Sequence, residues 1–115
     1  MTSQQIYMRF LNFVHALENN TNSPPIDLDA KKLLDMIGLR NDQKKPLTVT
    51  EAMALNHIAS PATIHRKLDL LRELGMIDTV FEGKNRRTKY LVPTKVAADY
   101  FANMGKAVQQ AIASA

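Results

Sequence analysis

The sequence predicts a mainly helical chain with one small β-hairpin, and three observations point there. Apolar residues recur at helical spacing near both ends of the chain. In the middle, Thr50-Glu51 and Ser60-Pro61 read as two helix starts in close succession, each a hydroxyl cap followed by a residue suited to the first turn. Beyond them, Met76–Phe81 and Thr88–Val92 are β-prone runs joined by Glu82-Gly83-Lys84-Asn85-Arg86-Arg87, a loop of hairpin composition.

Taken in order, Gln4 to Asn19 reads as a helix with Ile6, Phe10, Phe13, Val14 and Leu17 on one face and Tyr7, Met8 and Leu11 on another. Asn19 to Pro25 is a polar loop. A second helix is expected from about Asp29 to Ile37, with Leu33, Leu34 and Ile37 inward, Gly38 closing it, and Arg40 to Pro46 forming an exposed connection. Leu47-Thr48-Val49 is short and β-prone. Thr50 then caps a helix from Glu51 to about Ile58, and Ser60 caps another that runs to Leu74 with Ile64, Leu68, Leu71 and Leu74 packed inward. Gly75 is its stop. After the hairpin, Pro93 and Thr94 open a last helix bearing Val96, Ala97, Tyr100, Phe101, Met104, Val108 and Ile112. Helix, short turn, helix and basic hairpin make a winged helix-turn-helix with flanking N- and C-terminal helices, in a single domain over residues 1–115.

Composition narrows the function. With 115 residues there is material for one hydrophobic core. The absence of cysteine excludes a disulfide framework and a thiolate metal site, and fits a cytoplasmic location. No apolar run is long enough for a membrane span, and the polar Met1–Gln5 segment lacks a signal-peptide layout. His15, His57 and His65 are far apart in sequence without carboxylates at ligand spacing, so no metal is expected. His57, in the corner before Ser60, reads as a partly buried, hydrogen-bonded filler. Asp27, Asp29 and Asp35 read as helix starts and surface positions. Without a Gly-rich phosphate loop or a nucleophile elbow, neither a cofactor nor an enzyme activity is indicated.

The formal charge of +4 is unevenly placed: residues 1–45 carry six Lys/Arg against five Asp/Glu, and residues 46–115 carry nine against six. Gly83 to Lys95 contains five cations and no acid. A charge run alone is usually a solvated face; beside a helix-turn-helix it suits a polyanion. A major groove admits one helix, whose N-terminal residues reach base edges. The inward stripe of the Ser60–Leu74 helix leaves Ala62, Thr63, His65, Arg66 and Asp69 outward. Ser60, Pro61, Ala62, Thr63, His65 and Arg66 are therefore the candidate groove-facing residues, and Lys84, Arg86, Arg87 and Lys89 the candidate wing contacts. Arginines at a hairpin tip suit a narrow minor groove.

From Leu47 to Thr94 the chain resembles the MarR family of bacterial winged-helix regulators. The residues that carry the resemblance are Leu47-Thr48-Val49-Thr50-Glu51, Ser60-Pro61-Ala62-Thr63-Ile64, Gly75-Met76-Ile77 and the wing Asn85-Arg86-Arg87-Thr88-Lys89-Tyr90-Leu91-Val92-Pro93-Thr94. The family's wing reads Asp-x-Arg, three residues, an aliphatic, one residue, Leu-Thr. Arg87, Leu91 and Thr94 fall on it, Asn85 stands for Asp, and Pro93 stands for Leu. The resemblance implies sequence-specific binding of double-stranded DNA by a homodimer, as a transcriptional regulator. It places the helix-turn-helix and wing at residues 47–93 and the dimerisation helices at residues 1–19 and 94–115. Independently, Tyr7, Met8, Leu11, Tyr100, Phe101, Met104 and Val108 are more apolar surface than one small core needs. Asn85 removes an acid that would help hold the wing arginine. A single helix after the wing leaves a small-molecule effector unindicated. Other readings are a winged-helix module for a protein partner, or a plasmid or phage replication or partition protein.

Overall fold

The computed structural model describes residues 1–20 and 26–113. Its elements are α1 (Ser3–Asn20), α2 (Leu28–Asp42), α3 (Val49–Met53), α4 (Pro61–Glu73), β1 (Ile77–Phe81), β2 (Lys89–Pro93) and α5 (Lys95–Ala113). The predicted loop from Asn19 falls outside the described residues from 21 to 25, and Asn19 and Asn20 themselves complete α1. The chain divides into two compact units, Met1–Pro24 with Ala98–Ala115, and Pro25–Ala97.

In the first unit, a capping box starts α1. The Thr2 hydroxyl accepts from the Gln5 backbone at 3.1 Å, and the Gln5 side chain accepts from the Thr2 backbone at 2.8 Å. Arg9 Nε donates to the carbonyl of Ala111 in α5 at 3.2 Å. Among the described residues of this unit only the small side chains of Ala107 and Ala111 are fully buried, while Tyr7, Met8, Leu11, Val108 and Ile112 stay exposed.

The second unit holds the large core. Ala30, Leu33, Leu34 and Ile37 of α2 meet Ile64, Leu68 and Leu71 of α4, with Leu47, Ala52, Met76, Ile77 and Leu91 completing it. Asp27 caps α2, accepting from the Ala30 backbone at 2.9 Å and from the Lys67 ammonium of α4, so one carboxylate starts one helix and anchors another.

Gly38 does not end α2. The helix runs on to Asp42, since a helical glycine costs only about 1 kcal/mol and offers no competing partner for the backbone. The stop is at Lys44, whose φ of 61° is left-handed. There Lys44 N–H donates to Asn41 C=O and Lys45 N–H to Arg40 C=O, each at 3.0 Å, the paired bonds of a Schellman turn. The same turn closes α4 with a glycine in place: Gly75 has φ 72°, Gly75 N–H reaches Arg72 C=O, and Met76 N–H reaches Leu71 C=O. A Cβ at Gly75 would touch nothing, so its cost would be conformational alone. Gly75→Ala is therefore expected to lower stability by about 1–2 kcal/mol, and Lys44→Gly to raise it by up to about 1 kcal/mol. Urea unfolding of the two variants measures both; shifts of the same sign would refute the account.

The cap before α3 is Thr48, not Thr50. Thr48 and Glu51 stand at the three-residue spacing a capping box needs: the Glu51 backbone donates to the Thr48 hydroxyl at 3.0 Å and the Thr48 backbone to the Glu51 carboxylate at 2.9 Å. Thr50 lies inside the helix, which ends at Met53 rather than Ile58. From Ala54 to Ala59 successive tight turns replace it, Ile58 N–H donating to Leu55 C=O at 2.9 Å.

β1 and β2 pair antiparallel from Ile77↔Pro93 to Phe81↔Lys89. The β-prone Leu47-Thr48 adds a rudimentary third strand, with Thr48 bridged to Tyr90 and Leu91 N–H on Leu47 C=O at 2.8 Å. Pro93 belongs to β2 rather than to the last helix, at the strand end where no N–H is required. Thr94 then ties three elements: its N–H donates to Met76 C=O, its hydroxyl donates to Gly75 C=O, and that hydroxyl accepts from Ala97 N–H at 3.4 Å as α5 begins.

Two carboxylates that start helices sit below their usual pKa range. For Asp27 the leading cause is the Lys67 hydrogen bond, followed by the Ala30 backbone N–H; for Glu51 it is the Thr48 backbone N–H, followed by the Thr48 hydroxyl. Folded values lowered in this way contribute stability that is complete above the unfolded carboxylate range, about pH 4, and is lost as pH falls through the folded values. The thermal midpoint is expected to decline below about pH 4, and the decline to flatten in an Asp27→Asn, Glu51→Gln variant. Identical acid limbs for wild type and variant would contradict this.

Candidate nucleic-acid interface

The first two turns of α4 carry a ladder of hydrogen bonds on their solvent side. Ser60 is the N-cap, with extended backbone (φ −66°, ψ 156°), and its Oγ accepts from the Thr63 backbone at 3.3 Å. The same hydroxyl donates to Thr63 Oγ1 at 3.1 Å, and Arg66 Nη2 donates to Thr63 Oγ1 at 3.0 Å. Thr63 Oγ1 thus accepts twice, which leaves its own proton for an outside acceptor. The remaining guanidinium donors of Arg66 form a fork held at a fixed place on the helix face. Pro61 occupies the first helical position, where a missing N–H costs nothing, and Ala62 keeps the approach open beside it. Ser60, Pro61, Ala62, His65 and Arg66 are exposed and Thr63 is half-buried.

His65 does have a carboxylate beside it. Asp69 Oδ2 lies 3.3 Å from His65 Nδ1, which turns the Nε2 edge of the ring outward. The other oxygen of Asp69 pairs with Arg72 Nη1 at 3.0 Å, and Arg72 Nε donates to Thr79 Oγ1 of β1 at 3.1 Å. Asp69, Arg72 and Thr79 were not among the sequence candidates, yet they connect the exposed face of α4 to the wing. The spacing of His65, Asp69 and Arg72 at one helical turn each is visible in the sequence; the partner strand is not. His57 is exposed, not a buried filler: it borders an apolar hollow of about 300 Å³ with Lys32, Asp35, Met36, Leu39 and Ile58. Among the described residues no three His, Asp or Glu side chains converge as metal ligands.

The wing loop spans Glu82 to Thr88. Gly83 (φ 58°) and an Asn85 N–H bond to Glu82 C=O at 3.1 Å make its turn. Asn85 supplies more than an absent acid: its Oδ1 accepts from the Arg87 backbone at 2.9 Å and its Nδ2 donates to Thr88 Oγ1 at 3.3 Å, fixing the tip from within. Lys84, Arg86, Arg87 and Lys89 are all exposed. The Arg86 guanidinium lies 5.5 Å over the Phe81 ring, whereas the Arg87 guanidinium has no partner among the described residues. The candidate residues therefore form two groups, one on α4 and one on the wing, joined through the Arg72–Thr79 contact.

No protein-family model matches this chain and no curated protein is similar to it at a significant level. Solved structures are. RV1404 from Mycobacterium tuberculosis superposes with a TM-score of 0.67 at 18% identity, covering 97% of this chain and 70% of that one. A MarR-like transcriptional regulator from Thermotoga maritima gives 0.62 at 15% identity, over 99% and 80%. FabT from Streptococcus pneumoniae, solved in complex with DNA, gives 0.56 at 19% identity, over 94% and 79%. Helix-turn-helix, wing and flanking helices together are the MarR-like winged-helix fold. No described helix is long and apolar enough to cross a membrane.

Proposed function

We propose that this chain is a non-enzymatic transcriptional regulator that binds double-stranded DNA in a sequence-specific way as a homodimer. The observation that carries the reading is the Ser60–Thr63–Arg66 ladder, which presents one free hydroxyl proton and a braced guanidinium fork at the start of an exposed helix. A guanidinium held in that way suits the paired acceptors of guanine in the major groove. His65 Nε2 and Ser60 suit flanking phosphates, and Lys84, Arg86, Arg87 and Lys89 suit the adjacent minor groove and backbone. The DNA complex of FabT supports the same reading.

The homodimer rests on the first unit. Large apolar side chains of α1 and α5 stay exposed while only alanines are fully buried, which leaves a second copy of the same helices as the natural cover. Residues 1–19 and 94–115 then join the two copies, and residues 47–93 meet the DNA. A two-fold protein of this kind reads half-sites about one helical turn apart.

Selection from a random duplex pool, followed by titration of the enriched sequence at several salt concentrations, tests the proposal. A palindromic enriched site with strongly salt-dependent affinity is expected; no enrichment, together with one co-purifying protein partner, would replace DNA with a protein partner. Within the wing, Arg87→Ala is expected to lower the salt slope by about two units, one for each copy of the dimer, and to weaken binding most on A·T-rich flanks. Arg86→Ala should cost less, because its guanidinium is held on Phe81. Stability should change by no more than about half a kcal/mol in either. Equal, unchanged slopes would take the wing off the DNA.

A further inference from the structure

A second basic surface lies at the root of the wing. Arg40, Lys44 and Lys45 from the end of α2 face Val80 and Phe81 of β1, Glu82 and Tyr90 across a cleft of about 320 Å³, with Pro46 between them. Three cations and one acid line it, and Arg40 also lies within electrostatic reach of the Glu51 carboxylate, which leaves Lys44 and Lys45 as the excess charge. The Arg40 side chain is held there, its Nε donating to Lys45 C=O at 3.1 Å, and the Schellman turn sets where the exposed Lys44 and Lys45 leave the backbone. Lys44, Lys45, Val80, Phe81 and Glu82 are all exposed, so the cleft is open and would leave a small ligand largely in water. It is also continuous with the wing: Phe81 lines the cleft and carries Arg86 on its ring, and Glu82 C=O accepts the tip's Asn85 N–H.

We infer that this cleft is a second DNA-backbone contact, in which Lys44 and Lys45 hold phosphates of the duplex flank beyond the segment engaged by α4 and the wing tip. The inference rests on the DNA-binding reading above and extends its footprint. Charge complementarity selects the occupant, since an open run of exposed cations suits a polymer of evenly spaced phosphates. The apolar floor of Val80, Phe81 and Pro46 gives the sugar edges a surface to lie on without reading sequence.

The test uses the full chain and two blunt duplexes sharing one central selected sequence, the longer extended at each end by about one helical turn. Wild type should bind the longer duplex more tightly and with a steeper salt slope. Lys44→Gln with Lys45→Gln should reduce that slope by roughly three to four units on the longer duplex, from two contacts in each of two copies at about 0.9 per contact, and leave the shorter one unchanged. A matching thermal midpoint for wild type and variant confirms an intact fold; Lys45→Glu alone, which leaves the Lys44 turn untouched, should weaken the longer duplex in the same way. Wild-type binding that gains nothing from the flanks, or a slope loss equal on both duplexes, overturns the inference while leaving DNA binding in place. A wild type that binds neither duplex overturns the DNA-binding reading, and this surface with it.

Discussion

Val108→Glu combined with Ile112→Glu is expected to convert a dimer into a folded monomer that binds a two-half-site duplex a hundredfold or more weakly. Both residues are well exposed in the single chain, at 47% and 58%, so neither glutamate displaces a packed side chain. In the proposed dimer these positions would lie under the partner, and burying an unpaired carboxylate there would cost several kcal/mol. Losing the second copy removes the linked half-site, whose gain through effective concentration is about 10²–10⁴. Light scattering reports the mass, circular dichroism the helix content, and titration on full and half sites the affinity. Half-site binding should survive, because α4 and the wing belong to the other unit. A variant that remains dimeric, or a wild type that is monomeric at tens of micromolar, would contradict the expected assembly.

What the sequence disclosed, and what it withheld, follows from the range of the interactions involved. The inward stripe Ile64, Leu68 and Leu71, the Ser60 cap and the Gly75 stop are local features, and each is found where its periodicity or chemistry places it. The end of α2 was not legible at Gly38, because a glycine is a poor stop unless the following residues can return to the last carbonyls. Here Lys44 and Lys45 do so, at a non-glycine left-handed residue that no composition rule flags. The Thr48 cap was legible in principle, since Thr48 and Glu51 have capping-box spacing, but the adjacent Thr50-Glu51 pair offers a competing start. The brace from Asp69 through Arg72 to Thr79 was only half legible: its helical members stand one turn apart, while Thr79 enters through the pairing of a strand beyond the Gly75 turn. The role of Asn85 is not legible from charge, because an amide in place of an acid loses a charge and gains a donor. As a donor and acceptor together it holds both the Arg87 backbone and Thr88.

Arg66→Ala is expected to cost roughly 1–3 kcal/mol of specific binding and to relax the preference at one base pair in each half-site. The guanidinium is exposed on the second turn of α4, and Thr63 Oγ1 fixes one of its nitrogens at 3.0 Å, so it approaches the groove already oriented. Less rotamer freedom is lost on binding than for an unbraced arginine. Three variants separate the contributions. Arg66→Ala removes fork and charge; Arg66→Lys keeps a charge but cannot present two parallel donors, and should retain affinity for random duplex while losing specificity. Thr63→Val leaves the fork but removes the hydroxyl that holds it together with that hydroxyl's own outward proton, and should give a smaller loss at the Arg66 base position and the loss of one contact beside it. The measurement is affinity for the selected site and for each single base-pair change within a half-site, with random duplex as reference. Arg66→Ala weakening selected and random duplex by the same factor would make this side chain a phosphate contact, and would move the base-reading role to other positions on α4.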